Sequence, residues 1–245
     1  MDGESINAQP TGEHLIMRPS TRADLDSITC VVEAGFPDDL GCPYKFPYRA
    51  KYPEYIDQPE KYISLVVTAP VSLGKEVVQK PISIGIWDVA GETKSAGGGL
   101  GINERRDANP EHMRAYSRTM TYAFDTYFAK YGNRQLHLGW LITHPDFRRR
   151  GAATMLCDWG RKEAMKRGWM WTVIASPIGK LLYEHLGCDL VGAETIRVLG
   201  EDESVDIYMM EERFKHTAWH ESVIAPVSTL MSLGLGALYY IFGRK

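Results

Sequence analysis

A basic loop followed by small residues is the stretch of this chain whose residue types best suit binding chemistry. It runs, in order, through Arg148, Arg149, Arg150, Gly151, Ala152 and Ala153. Backbone N–H groups at the start of a helix have no intrahelical partner and attract anions, and small residues let an anion approach them. Arginine guanidinium groups add fixed charge that forks onto phosphate oxygens. The residues indicate a diphosphate site, although an ordinary solvated turn with a basic surface cluster fits them equally well.

The segments on either side of this loop predict a strand and a helix. Leu136 to Thr143 is an apolar run rich in β-formers. From Ala152 onward, apolar side chains recur at intervals of three or four residues, which is the period of a helix. Gly168 is suited to end that helix in a left-handed cap. The unit is therefore a strand, a basic loop with small residues, and a helix.

This unit resembles the GNAT (Gcn5-related N-acetyltransferase) superfamily, whose acyl-CoA loop has the form Gln/Arg-x-x-Gly-x-Gly/Ala. Arg148, Gly151 and Ala153 occupy the fixed positions of that pattern. A second stretch, from Ala175 to Gly187, resembles the fifth strand and fourth helix of the family. A helix predicted at 110–130, ahead of the core strand, is similar to an insertion in fungal-type small-molecule members.

The resemblance implies the GNAT fold, an α/β (α+β) architecture with a mixed, mostly antiparallel twisted sheet of six to seven strands flanked by helices. It covers residues 14–212 and is closest over 135–190. Residues 1–13 are then expected to be a disordered arm, and residues 213–245 a tail with an extra apolar C-terminal helix. Local patterns predict the remaining strands at 14–19, 62–71, 81–90, 169–176, 196–199 and 205–210, and the remaining helices at 24–35 and 177–186.

The resemblance also implies a co-substrate, acetyl-CoA, and the residues that would bind it. The backbones of Leu141 and Thr143, with Ile142 between them, would hold the pantetheine arm and the thioester where the core strand leaves its neighbour. The diphosphate would lie on the loop from Arg148 to Ala153. Ser176 stands where many members place an asparagine that bonds the pantetheine.

Tyr183 matches the family tyrosine that protonates the sulfur of CoA. A tyrosine with an ordinary pKa of about 10 carries its proton at neutral pH, as an acid must. The periodicity of the helix alone favours a packing role for this residue, and the family match favours the catalytic one. Residues 36–59, rich in proline, tyrosine and charge, would form the wall that sets acceptor specificity.

A general base is harder to assign from the sequence. His137 is the nearest candidate, since histidine titrates in the useful range, although a single strand histidine is more often structural. Gly139 stands where some family members carry an acidic residue, and many members use a chain of water molecules instead. His216 and His220 lie four residues apart without the glutamate that accompanies such pairs in zinc sites, so no metal is predicted.

Composition limits the class of protein and its partners. The 245 residues, 44% of them apolar, suit one globular domain with appendages. With 28 basic and 31 acidic residues the net charge is −3, so no basic field indicates a nucleic-acid partner. The four cysteines have no metal-site spacing and indicate reduced thiols in a cytosol. The N-terminal residues resemble neither a secretory signal nor a transit peptide.

The tail predicts either a membrane anchor or a docked soluble helix. Val223 to Gly243 contains 21 residues and no charge, close to the roughly 20 residues that span a bilayer. Tyr239 and Tyr240 near one end and Trp219 near the other resemble interfacial anchors. The membrane interpretation predicts a tail-anchored protein with its catalytic domain in the cytosol; the other predicts a helix packed on this domain or on a second subunit.

Two classes of function remain open from the sequence. The first is an N-acetyltransferase that moves an acetyl group from acetyl-CoA to an amine of a small molecule, by direct transfer in a ternary complex. Protein N-termini or lysines are alternative acceptors for the same chemistry. The second class is a non-catalytic acyl-CoA-binding sensor or scaffold. A homodimer is compatible with either class.

Overall fold

The computed structural model describes residues 14–45, 63–73, 76–89 and 106–212, without the side chains of Cys42, Pro43 and Leu73. The chain divides into two units, Met1–Arg213 and Phe214–Lys245, and all elements below belong to the first. The predictions of a disordered arm at 1–13, an apolar helix at 223–243 and no metal site at His216 and His220 lie outside the described residues.

Seven strands and five α-helices occur in the described part of the chain. The strands are β1 (Ile16–Pro19), β2 (Ile63–Leu73), β3 (Glu76–Asp88), β4 (Gln135–Thr143), β5 (Met170–Ala175), β6 (Asp189–Arg197) and β7 (Ser204–Glu212). The helices are α1 (Leu25–Gly35), α2 (Gly41–Lys45), α3 (Pro110–Ala123), α4 (Ala152–Arg167) and α5 (Pro177–His185). The central order of strand, loop, helix and strand that the sequence predicts is confirmed.

The strands form one seven-stranded sheet in the order β1-β2-β3-β4-β5-β7-β6. The β4–β5 pair is parallel, and the other neighbours are antiparallel. A parallel pair needs a crossover, and α4 supplies it between β4 and β5. The predicted mixed, mostly antiparallel sheet flanked by helices is confirmed.

Three predicted boundaries are wrong, each for a physical reason. β3 begins at Glu76 rather than at residue 81, because a polar, largely exposed stretch extends the hairpin with β2. β6 begins at Asp189 rather than at residue 196, since an edge strand that is mostly exposed shows no apolar alternation. The helix predicted over 110–130 is α-helical only to Ala123, then π-helical over Phe124–Phe128 and 3₁₀ over Ala129–Tyr131.

Helices cover both faces of the sheet, and side-chain alternation along β3 shows which helix lies on which face. Trp87 faces α4, where a Cβ at Gly160 would lie 2.5 Å from the Trp87 indole nitrogen. The preceding residue, Ile86, points to the other face, where it packs with Val31 and Val32 of α1. The π-helical residues after α3 contribute Phe124 and Phe128 to a second cluster, with residues of β6 and β7. The core strand β4 lies between the two layers.

Candidate functional site

The parallel strands β4 and β5 pair only over their first four residues. The register joins Gln135–Leu138 to Met170–Val173 and ends there, although β4 continues to Thr143 and β5 to Ala175. The other edge of β5 is paired with β7 through Ala175, so β5 keeps its place in the sheet. The two strands therefore separate toward their C-terminal ends and leave an opening in the sheet.

A β-bulge at Gly139 lies where the strands begin to separate. On β3, the consecutive residues Ile86 and Trp87 pair with Trp140 and Leu138, so Gly139 is an extra residue on β4. A bulge of this kind bends its strand and increases the local twist. The bulge coincides with the end of the β4–β5 pairing.

The backbone groups of Leu141 and Thr143 face the opening. The N–H of His144 donates to the carbonyl of Ile82, 2.9 Å away, so residue 144 bonds toward β3. In an antiparallel ladder alternate residues bond to the same neighbour, so Ile142 also bonds toward β3, while Leu141 and Thr143 point the other way. Their geometry suits the predicted role in holding a pantetheine arm, and binding itself stays a prediction.

Ile142 packs β4 against α1, on the face of the sheet that α1 covers. Its side chain is buried with Val31 and Val32 of α1, and its carbonyl accepts a hydrogen bond from Ser83 Oγ at 2.9 Å. A Cβ at Gly35, the last residue of α1, would lie 2.5 Å from Ile142 Cγ2. Glycine thus lets the end of α1 approach the half of β4 that borders the opening.

The loop between β4 and α4 presents backbone N–H groups at the end of that opening. Arg149 and Gly151 both have left-handed backbone angles, with φ of 63° and 87°. The first α4 hydrogen bond runs from the N–H of Met155 to the carbonyl of Gly151, so the N–H groups of the three residues before Met155 lie ahead of it. Open space surrounds the position of a Cβ on Gly151. The loop has the shape and polarity of an anion site.

The three arginines of the loop have different environments. Arg148 forms an ion pair with Asp38, and its guanidinium also donates to the carbonyls of Thr143 (3.3 Å) and Gly35 (3.4 Å). It therefore fastens the loop to β4 and to the end of α1, a role that the motif did not indicate. Arg150 donates to the carbonyl of Asp146 at 2.9 Å, and the side chain of Arg149 is exposed. Arg149 and Arg150 are the more accessible cations for a phosphate.

Tyr183 of α5 is buried beside β5. Its ring lies 5.8 Å from the ring of Trp171, edge to face, and Gly179 one turn earlier leaves room for it. Burial, with smaller contributions from Cys157, Cys188 and Asp39, raises the pKa of Tyr183 well above its usual value. The phenol thus keeps its proton at neutral pH, as a proton donor must, but the side chain is as deeply buried as that of His137, and its contact with a CoA thiolate stays a prediction.

Ser176 is the N-cap of α5. Its Oγ accepts a hydrogen bond from the backbone N–H of Gly179 at 3.3 Å, which is an ordinary capping contact. The hydroxyl can still donate through its own hydrogen. The residue therefore has a structural role, and the predicted contact with a pantetheine arm stays a prediction.

His137 lies in the core rather than in the opening. Its ring packs against the rings of Phe124 and Phe128, and burial lowers its pKa to about 4, against the opposing charge of Asp88. Thr172 Oγ1 donates to Gln135 Oε1 at 3.2 Å, so it accepts from His137 Nδ1 at 2.9 Å, which places the histidine proton on Nδ1. A base must contact the entering amine, and this burial does not support that prediction.

A buried polar cluster at the start of α3 was not predicted from the sequence. His112 of α3 is 3% exposed and contacts Tyr44 of α2 and Glu201 of the turn between β6 and β7. The signal was present in the spacing, because His112 lies three residues before the buried Ala115 on the inner face of α3. A histidine at such a position must satisfy both ring nitrogens inside the protein.

Metal-binding clusters and membrane-spanning helices can be assessed for the residues that the structure describes. Among them, no group of three or more His, Cys, Asp or Glu side chains is arranged to hold a metal ion. No helix within the same ranges has the length and apolar character needed to cross a bilayer. A cavity of ≈ 100 Å³ lies between α1, the β2–β3 hairpin and the segment that follows β4.

Comparison with known proteins identifies the fold. No family model and no curated protein matches the sequence. A polyamine N-acetyltransferase of Drosophila melanogaster superposes with a TM-score of 0.55 at 10% identity, over 82% of this chain and 100% of that chain. A mosquito arylalkylamine N-acetyltransferase-like protein gives 0.53 at 10% identity, over 81% and 99%. An agmatine N-acetyltransferase variant gives 0.51 at 13% identity, over 81% and 100%.

These similarities concern the whole sheet and its helices, and the low identities restrict them to the fold. The predicted fungal type is not tested by them. In this chain, the described part of that fold contains the separated strands, the bulge on β4 and a helix start with free backbone N–H groups. The chain has the fold of the GCN5-related N-acetyltransferase (GNAT) superfamily.

Proposed function

We propose that this protein is an acetyl-CoA-dependent N-acetyltransferase that acts on an amine of a small molecule by direct transfer in a ternary complex. The opening between β4 and β5, which leads to the start of α4, carries the proposal. It offers an extended backbone edge followed by a cluster of N–H groups, in the order that a pantetheine arm and a diphosphate need. The solved structures of similar fold named for polyamine, agmatine and arylalkylamine acetylation support the choice of a small amine.

Backbone groups would bind the co-substrate along this opening. The backbone of Leu141 can pair with the pantetheine amides, as the missing strand neighbour would. The N–H groups of Ala152 and Ala153 can bind the diphosphate, with Arg149 and Arg150 adding charge. Acetyl-CoA supplies a thioester whose carbonyl carbon an amine can attack. Fixing its position converts the transfer into a reaction between neighbours.

Proton transfers complete the reaction. Tyr183 keeps its phenolic proton because burial raises its pKa, and it can give that proton to the departing thiolate. The attacking amine must lose a proton, and water at the opening is the proposed acceptor, since the ring of His137 is enclosed by Phe124, Phe128 and Thr172. The new C–N bond forms as the C–S bond breaks.

A non-catalytic acyl-CoA sensor is the second candidate. The burial of His137 favours it, because the one histidine on the core strand does not contact the opening. Transfer to protein N-termini or lysines is a third use of the same site. The three alternatives share the cofactor opening and differ in the acceptor.

Turnover separates these candidates. The full chain is mixed with acetyl-CoA and a panel of polyamines, arylalkylamines, simple amines and short peptides, and release of free thiol is recorded. Saturable thiol release with a small amine supports the proposal, and release only with peptides supports a protein acceptor. Binding of acetyl-CoA without release for any acceptor contradicts the enzyme and favours the sensor.

We also propose a cellular location for the protein from the sequence of its tail. The uncharged segment 223–243 supports a cytosolic catalytic domain that is anchored to an intracellular membrane. Removal of residues 221–245 is expected to release a CoA-binding domain from membrane pellets into the soluble fraction. Full-length protein that is monomeric in detergent-free buffer contradicts the anchor.

A further inference from the structure

A histidine joins three elements beside the opening. His112, in the first turn of α3, places Nδ1 2.7 Å from the carbonyl oxygen of Tyr44 in α2. Its Nε2 lies 2.6 Å from Glu201 Oε2, in the turn between β6 and β7. The Tyr44 ring is stacked on the imidazole, with centroids 4.1 Å apart and planes 7° from parallel. The backbone N–H of Asn109 also donates to the carbonyl of Lys45, at 3.0 Å.

The partners of the ring require a proton on each nitrogen. A carbonyl oxygen only accepts, so Nδ1 must donate to Tyr44. Glu201 pairs with Nε2 through a carboxylate oxygen, which also only accepts. Both hydrogen bonds exist together only when the ring is an imidazolium, and the stacked Tyr44 ring favours that cation.

The turn that carries Glu201 lies at the end of the sheet where β4 and β5 finish, which is also the end that contains the opening. Ala175, the last residue of β5, pairs with Tyr208, whereas β7 begins four residues earlier at Ser204. At about 3.3 Å per residue, the turn 198–203 projects roughly 13 Å beyond the end of β5. The opening between β4 and β5 also lies at the C-terminal ends of those strands. α2, the first turn of α3 and this turn together are called the acceptor wall.

We propose that His112 is a positioning residue, which as an imidazolium holds the turn 198–203 against α2 and α3 and so sets the shape of the acceptor wall. The charged state of the ring follows from its contacts alone. The effect on an entering amine rests on the proposed acetyltransferase function.

The charged groups around His112 are consistent with an imidazolium ring. Glu201 and Glu203 face it from the turn, Tyr44 faces it from α2, and Glu111 and Arg114 pair with each other on its own helix. Burial lowers the pKa of His112, but the hydrogen bonds to Glu201 and to the Tyr44 carbonyl, with the charges of both glutamates, raise it above its usual value overall.

The direction of the pH effect follows from that raised pKa. A group whose pKa is higher in the folded state stabilises the fold fully below its unfolded pKa, which is about 6.5 for histidine. The contribution is lost as the pH rises through the folded pKa. The contact with Glu201 should therefore hold the acceptor wall in mildly acidic and neutral solution and weaken in alkaline solution.

Two measurements on the full chain test the proposal. Histidine ring NMR, with the His112 signal assigned from a His112→Gln variant, should give a pKa above about 6.5, and Glu201→Gln should lower it by about one unit. Steady-state kinetics at pH 6 to 9 should then show a several-fold higher KM for the amine in Glu201→Gln than in wild type at low pH. That ratio should fall to one or below at high pH, where a glutamine amide can donate to the neutral ring nitrogen and a carboxylate cannot, while KM for acetyl-CoA stays unchanged. Using the ratio cancels the titration of the amine itself.

Asp202→Asn is the matched control, because it removes one negative charge from the same exposed turn without touching the contact with His112. It should leave the ring pKa and the KM ratio close to the wild-type values. A pKa of His112 at or below about 6.5 in the wild type would overturn the proposed imidazolium state. The NMR titration decides this even if no amine is turned over. A raised pKa with a KM ratio of one at every pH would overturn the positioning role.

Discussion

The opening between β4 and β5 and the cluster around His112 are built from different chemical groups. Backbone atoms of β4 and of the start of α4 face the opening, the proposed cofactor site. The side chains of His112 and Glu201 and the ring of Tyr44 hold the proposed acceptor wall together. A backbone site depends on chain geometry and tolerates many side chains, whereas a side-chain site depends on each partner. Substitution of glycine should therefore impair the cofactor site, and removal of a charge should impair the acceptor wall.

The largest effect is expected at Gly151. A Gly151→Asp change puts a carboxylate beside the N–H groups that would bind the diphosphate and forces a side chain onto φ of 87°. We expect acetyl-CoA affinity to fall by more than about 100-fold, which corresponds to about 2.7 kcal/mol. Isothermal titration calorimetry measures the change.

Gly168→Asp is the control for that variant. Gly168 caps the other end of α4, with φ of 67° and open space around its Cβ position, so the backbone strain is similar. The control should lose comparable thermal stability and keep its affinity for acetyl-CoA. Equal affinity losses in both variants would show that strain, not position, is responsible.

A smaller and more selective effect is expected at Tyr183. Tyr183→Phe removes the proposed proton donor and keeps the ring beside Trp171, so the packing survives. We expect kcat to fall by about 100-fold, in the usual range for loss of an acid catalyst, with acetyl-CoA affinity within a few-fold of wild type. Single-turnover and binding measurements separate the two quantities. An unchanged kcat would assign Tyr183 to packing.

The smallest effects are expected from the loop arginines. One substitution should weaken cofactor binding, and the other should lower stability. Arg149→Ala should weaken acetyl-CoA binding several-fold and reduce its salt dependence, because an exposed cation is removed from the anion site. Arg148→Ala should mainly lower the melting temperature, since Arg148 joins the loop to Asp38, Gly35 and Thr143. A lower melting temperature in Arg149→Ala and weaker binding alone in Arg148→Ala would contradict these two roles.

The sequence predicts the local parts of this architecture better than the long-range ones. Gly151 and Gly168 were expected to flank α4, and both have the positive φ that only glycine adopts easily. The loop motif made Arg148 a predicted phosphate ligand. Its actual partner, Asp38, lies 110 residues away in the chain, so no local pattern could reveal the ion pair. Glu201 is 89 residues from His112, so no local pattern could join them.

Burial was the other quantity that the sequence did not provide. His137 was a candidate base because a histidine on a core strand titrates near neutral pH. Its position in the core comes from Phe124 and Phe128, in a π-helical segment that the sequence presented as the end of an ordinary helix. β6 was placed too late for a related reason, because few of its side chains are buried at the edge of the sheet.

Amide hydrogen exchange with and without acetyl-CoA tests the central claim most directly, because the claim concerns backbone N–H groups. On the full chain at saturating acetyl-CoA, we predict slowed exchange at Leu141, Thr143, Ala152, Ala153 and Thr154, and unchanged exchange in the turn 198–203. Isotope labelling with residue-level resolution by NMR provides the measurement. Protection centred on the acceptor wall, with the amides of β4 and of the start of α4 unchanged, would contradict a cofactor site made of backbone in the opening between β4 and β5.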